Sequence, residues 1–215
     1  MAQQGTVPPR TAADVAAWEA DMARLSAEHD ALVRDGRWVV GVDDILSIIG
    51  RSRHEAYHSA MLAWLLNPLA KHGMGAALLS RLLQRCGVED GPSRHRARVE
   101  CEVVRGNTRA DIVAFCPDVT LIVENKVDAG EQERQCDRLY EHFGNEPGAV
   151  FLYLTPDGRP PQTATGAARD AWTVLRYRDL ATMLAAILPQ ATTGELPAGL
   201  AAAHNYLATL RREFP

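Results

Sequence analysis

From Asn107 to Tyr140 the chain reads NTRADIVAFCPDVTLIVENKVDAGEQERQCDRLY, and this stretch restricts the fold more than any other. An acid, Asp111, opens the apolar run 112–115, and a second run, 120–123, ends in Glu124-Asn125-Lys126. Between them stands Cys116-Pro117-Asp118, so the pair reads as a β-hairpin. Proline holds φ near −65° and suits a two-residue type I′ turn poorly, which favours a four-residue loop over 116–119. That loop makes Phe115 face Thr120, Val113 face Ile122 and Asp111 face Glu124. Directly opposed residues lie roughly 4.5–5.5 Å apart at Cβ. Lys126 shares the face of Glu124, because side chains alternate along a strand. Two carboxylates and an ammonium thus converge at one end of the hairpin. Opposed like charges destabilise a sheet, and a hard divalent cation bound by carboxylate oxygens would offset that. The other reading is two strand ends that fray, with the acids apart and hydrated.

Upstream, residues 11–34 predict a helix, with Thr11 and Asp14 as caps and Val15, Trp18, Met22, Leu25, His29 and Leu32 at helical spacing. A short helix over 42–49 stops at Gly50. The next covers 52–66, with Ser52 as N-cap and Asn67-Pro68 as the stop. On it Glu55, Ser59, Leu62 and Leu66 form one stripe. Glu55 is therefore an acid on an inward face, and needs either a partner or a metal. The plainer reading is an acid placed to favour the helix dipole. A helix over 73–86 ending at Gly87, a loop over 88–96, and a strand over 98–104 lead into the hairpin. A helix from Glu131 to Phe143 follows, with Cys136, Leu139, Tyr140 and Phe143 inward. Then come an all-apolar strand over 149–154, a long loop from Thr155 to Arg169, a strand over 172–175, and helices over 179–188 and 196–212. Residues 1–10 read as an unstructured tail. A helix, three strands, a helix and a strand make an α/β chain with a mixed sheet.

Bulk properties exclude little but point consistently. The 215 residues are enough for one sizeable core, and 47% hydrophobic with 23% charged residues is ordinary for a soluble globular protein. No apolar run reaches the roughly 18 residues a membrane span needs. The N-terminus lacks a signal-peptide pattern, so the cytoplasm is the expected location. Cys86, Cys101, Cys116 and Cys136 form no CxxC pair and read as small hydrophobes. The net charge of −4 and pI near 6.0 argue against holding nucleic acid by bulk electrostatics. Local basic runs remain, around Arg51, Arg53 and His54 and from Arg81 to Arg98; each is either a solvated face or a phosphate contact.

Five segments together resemble the PD-(D/E)XK nuclease superfamily, which has the restriction-endonuclease-like fold. They are similar to a bacterial group with an E-x-x-H-S-x-x-L-x-W-L-L helix, here Glu55 to Leu66, and an ENK strand, here Glu124-Asn125-Lys126. The family's aspartate matches Asp111, in Arg109-Ala110-Asp111-Ile112. Its helix glutamine matches Gln135, with Tyr140 one residue later than strict spacing. The Tyr153-Leu154-Thr155-Pro156-x-Gly158 segment also looks like the group. The resemblance implies an αβββαβ core flanked by helices over residues 42–215, with residues 1–41 as a tail and helical extension. It implies a metal-dependent nuclease acting on DNA, an effector in bacterial defence or a repair enzyme. Glu55, Asp111 and Glu124 would hold Mg²⁺ or Mn²⁺. Lys126 would position the attacking water or stabilise developing charge, and Gln135 would orient Lys126 or a phosphate. His58, Tyr140 and Arg109 would support the site or touch phosphate. The acidic pI leaves DNA affinity to a homodimer or a partner subunit.

One competing motif shares the first helix of that set. His54-Glu55-Ala56-Tyr57-His58 matches H-E-x-x-H, which would put two zinc ligands on one helix face with a glutamate as general base. A zinc metallopeptidase is therefore an alternative, although no extended pattern follows and His72, the available third ligand, comes right after a Pro-terminated helix. A catalytically inactive scaffold of the same fold is another. His58 also has a plain reading as a buried, hydrogen-bonded histidine beside Trp64.

Overall fold

The computed structural model describes residues 11–189 and 196–215, so the expected tail over 1–10 lies outside the described residues. The chain divides into two compact units, one ending at Val42 and one starting at Asp43. The first contains α1 (Ala12–Arg34). Its start is a capping box: the Thr11 hydroxyl accepts the Asp14 N–H at 3.3 Å and the Asp14 carboxylate accepts the Thr11 N–H at 2.8 Å.

The second unit runs α2 (Ile45–Ile48), α3 (Glu55–Leu66), α4 (Ala77–Arg85), a 3-10 turn (Pro92–Arg96), β1 (Arg98–Arg105), β2 (Thr108–Phe115), β3 (Thr120–Asn125), α5 (Gln135–Phe143), β4 (Val150–Thr155), α6 (Gly166–Ala171), β5 (Trp172–Arg176), α7 (Tyr177–Ile187) and α8 (Ala198–Glu213). The sheet order is β1-β2-β3-β4-β5. The first three strands form an antiparallel meander, and β4 and β5 join in parallel. A parallel neighbour needs a crossover, which α5 supplies between β3 and β4. This is the mixed α/β sheet of the restriction-endonuclease-like fold, with the expected αβββαβ order.

Each sheet face has its own core. On one, Leu62 and Leu66 of α3, Leu79 and Leu82 of α4, and Leu184 of α7 pack on Ile112, Ala114, Leu121 and Val123. On the other, Cys136, Leu139 and Phe143 of α5 pack on Val113, Ile122, Phe151 and Tyr153. β3 is buried along its whole length. A strand with apolar layers on both sides reads as a continuous hydrophobic run, which is why LIV precedes Glu124.

Four expectations need correction. The helix expected from Ser52 starts at Glu55 with His54 as N-cap, and the Ser52 carbonyl instead faces the His58 ring at 2.8 Å. The helix expected from Gly73 starts at Ala77, because Gly73 and Gly75 sit at φ 76° and 57°, outside helical space. The helix expected from Glu131 starts at Gln135, because Arg134 is left-handed at φ 51°. The expected loop over 155–169 runs into α6. Within the basic run, Arg94 is buried and chelates Asp118 through Nη1 at 2.8 and 3.0 Å. It ties down the hairpin loop and is not free for phosphate.

Candidate active site

The hairpin register is as the loop symmetry requires: Phe115 pairs with Thr120, Val113 with Ile122 and Ile112 with Val123. The ladder stops one step before Asp111 and Glu124. There the Asp111 side chain takes over from the backbone, its Oδ2 accepting the Asn125 N–H at 2.8 Å. Cys116 N–H to Val119 C=O, at 2.9 Å, closes the other end.

What aims Asp111 is a change of face in β1 and β2. In a regular strand residues i and i+2 share a face. Here Ala110 packs in the α5-side core and Ile112 in the α3-side core. Opposite them, Val103 packs on the α5 side, while the Cys101 thiol reaches the Ser59 carbonyl of α3 at 3.8 Å. The pairing register is the same on both sides of the break, Cys101 with Ile112 and Val103 with Ala110. No residue is inserted, so this is not a bulge. Glu102, which faces Asp111 between those pairs, is left-handed at φ 54°. A non-glycine residue there costs on the order of 1 kcal/mol, and such strain concentrates at functional sites. Asp111 lines two cavities, one of about 610 Å³ with Lys126 and Gln135 and one of about 500 Å³ with His54, Ser59 and Glu102, and both also take in Glu55 and Arg109.

Glu124 lies at the end of β3 and is fully buried. Its Oε1 accepts from Lys126 Nζ at 2.8 Å and from Gln135 Nε2 at 2.5 Å. Its Oε2 is buried and has no partner among the described residues. Burial, then the Asp111 charge, pushes the Glu124 carboxyl up to about 8. Burial also raises the Asp111 carboxyl. Burial pulls the Lys126 ammonium down, but the Glu124 charge and hydrogen bond outweigh it and hold the group above its ordinary value. Gln135 makes no hydrogen bond to Lys126; its Oε1 accepts the Gln132 N–H at 3.0 Å, and its amide donates to the Glu124 oxygen that Lys126 also meets.

Glu55 sits at the start of α3, and its Oε1 accepts the Val127 and Ala129 N–H groups at 2.8 and 3.1 Å. It stabilises the backbone leaving β3, and it is also the acid in the first turn of its own helix, where it favours the dipole. Each of the three acids is thus held by protein donors. Among the described residues no group of three or more His, Cys, Asp and Glu side chains is spaced to hold a metal ion. The expected three-carboxylate shell of Glu55, Asp111 and Glu124 is therefore not gathered. What fits a divalent cation is narrower: two desolvated carboxylates that repel each other, with one buried oxygen left without a donor. Such oxygens suit a hard cation.

Other sequence expectations separate here. His58 is buried, with Nδ1 3.0 Å from the Tyr206 hydroxyl and Nε2 2.8 Å from the Ser52 carbonyl. Both ring nitrogens are engaged, so His58 neither ligates zinc with His54 nor bonds Glu55. Its ring neighbours are Tyr177, Tyr206 and Phe214, while Trp64 stacks edge-on with His72. Burial lowers its pKa and keeps it neutral. Tyr140 packs against Phe151 and is not among the cavity residues. Arg109 lines both cavities, paired with Glu102 at 3.3 Å.

Two residues carry more than their sequence positions suggested. Glu131 is not a helix residue: its carboxylate accepts from the Tyr153 hydroxyl at 3.0 Å and the Gln162 and Thr163 N–H groups at 2.7 and 2.8 Å. Asn125 bonds Asp111 through its backbone, donates to the Glu55 carbonyl at 3.1 Å and Ser59 Oγ at 3.0 Å, and accepts from the Tyr177 hydroxyl at 2.5 Å. Asparagine is disfavoured inside strands, and that was the available signal. Asn125→Ala strands the buried Tyr177 hydroxyl and is expected to cost about 2–4 kcal/mol in urea unfolding. A change within error of zero would mean that the junction of β3, α3 and α7 is held by packing alone.

The profile of the PD-(D/E)XK nuclease superfamily matches residues 43–208. No curated protein and no solved structure matches the chain.

Proposed function

The chain belongs to the PD-(D/E)XK nuclease superfamily, and from that premise we propose that it is a divalent-metal-dependent nuclease acting on DNA through Asp111, Glu124 and Lys126. The observation that carries this reading is the buried Glu124 oxygen without a donor, beside a second raised carboxylate and an ammonium. Asp111 and Glu124 would hold Mg²⁺ or Mn²⁺, which supplies Lewis-acid stabilisation of phosphoryl charge and a more acidic water. Lys126, locked by Glu124 and lining the cavity, orients the attacking water or meets the charge that develops on the phosphate. Gln135 holds Glu124 in one rotamer, so that its free oxygen stays aimed. Glu55 fixes the backbone after Lys126 and adds negative charge to the same cavity.

DNA as the polymer, an endonucleolytic cut, a role in bacterial defence or repair, and a dimer or partner that adds basic surface all follow from the resemblance of the motifs. The net charge of −4 is the reason to expect such help with affinity. Among the described residues no helix is long and apolar enough to cross a membrane. The polymer is tested by single-turnover cleavage of labelled duplex DNA, single-stranded DNA and RNA in Mn²⁺ and in EDTA. DNA is expected to be cut in Mn²⁺ and spared in EDTA. Cutting of RNA alone would overturn the DNA assignment.

A further inference from the structure

Three cations line the larger cavity: Arg109, Lys126 and Arg138. Two are committed, Lys126 to Glu124 and Arg109 to Glu102. Arg138 has no acid within ion-pair distance among the described residues. It lies on α5 three residues after Gln135, and residues at that spacing share a helix face roughly 5–6 Å apart. Its Nη1 donates to the Glu133 carbonyl, which orients the guanidinium plane. The opposite edge, Nε and Nη2, is left over, and Nε is buried without a partner among the described residues. An unmet buried donor costs about 1–3 kcal/mol. Two parallel N–H groups on a fixed edge match two oxygens of a phosphate.

We propose that Arg138 binds a backbone phosphate of the nucleic acid, next to the phosphate being cut. It is displaced along α5 from the residue that holds Glu124, so it takes the neighbouring phosphate and not the reacting one. It is a positioning residue that sets where the strand lies in the cavity. This inference rests on the nuclease reading.

The test is single-turnover cleavage of a labelled duplex in Mn²⁺ over a series of salt concentrations, for the parent, Arg138→Met and Arg138→Lys. The protein concentration for half-maximal rate is expected to rise about 10- to 100-fold in Arg138→Met, as for loss of a bidentate charge-assisted contact. The maximal rate should stay within a few-fold of the parent. The slope of log affinity against log salt should flatten by about 0.9, one phosphate contact on a duplex. Arg138→Lys should restore the slope and only part of the affinity, since it keeps the charge and loses the fork. A parent-like slope in Arg138→Met, or a loss confined to the maximal rate, would overturn the proposal. If the parent cuts no nucleic acid, the nuclease reading fails and this one goes with it.

Discussion

Lys126→Ala is expected to lower the single-turnover cleavage rate by about 10²–10³-fold, the usual loss when a fixed donor to developing charge is removed. The ammonium is held 2.8 Å from Glu124 with 9% of its side chain exposed, so no water or neighbouring lysine replaces it easily. Deleting one partner of a buried ion pair often costs about 3–5 kcal/mol. Here the remaining acid has an escape. Glu124 is already pushed up to about 8, so it takes a proton near neutral pH when Lys126 is gone. The variant should therefore keep its circular dichroism and unfold cooperatively. Lys126→Arg should rescue little, since a planar fork cannot occupy the place of a point charge. Parent-like cutting by Lys126→Ala would remove Lys126 from the chemistry.

Glu124→Gln is expected to raise the stability of the metal-free protein at alkaline pH while abolishing cleavage. An acid whose folded pKa is raised binds more protons folded than unfolded between the two values. Stability then falls as pH rises through that window, here from about 4.5 to about 8, and the loss is complete above it. The glutamine keeps an acceptor for Lys126 and Gln135 but carries no charge to desolvate. At about 1.4 kcal/mol per pKa unit, the variant should gain roughly 2 kcal/mol or more above the window. Below it the two proteins should converge. Urea unfolding in EDTA across this pH range measures the gain. Adding Mn²⁺ should then stabilise the parent and leave the variant unchanged, since only binding to the folded state adds stability. A parent whose stability is flat across the window, or a variant that responds to Mn²⁺ equally, would mean that Glu124 is not the strained acid of the site.

The hairpin was legible because a proline in the loop restricts the turn and so dictates which residues face each other. Pairing stops short of Asp111 and Glu124 for a reason the sequence hides. RVECEVV alternates like any strand, and glutamate has no particular taste for the left-handed region that Glu102 occupies. The sequence places the start of α5 at Glu131, which looks like a first-turn acid, whereas the helix begins at Gln135. Only the fold brings residues 162 and 163 within reach of the Glu131 carboxylate. The helical stripe marks Glu55, but its partners, the N–H groups of Val127 and Ala129, lie far along the chain and have no sequence signature. His54 and His58 satisfied a short motif by chance. Burial of His58 between Ser52 and Tyr206 decides against zinc, and motif spacing cannot report burial. Arg138 carried no signal at all, because an arginine on a polar helix face looks alike whether or not its Nε has a partner.

The most direct measurement is relaxation and linearisation of a supercoiled plasmid by the purified protein in Mg²⁺, Mn²⁺ or EDTA, with Lys126→Ala run in parallel. Cutting in Mg²⁺ or Mn²⁺ that stops in EDTA and is lost with Lys126 is the expected result. Cutting that persists in EDTA, or that survives Lys126→Ala, would contradict a metal-dependent site built on Asp111, Glu124 and Lys126.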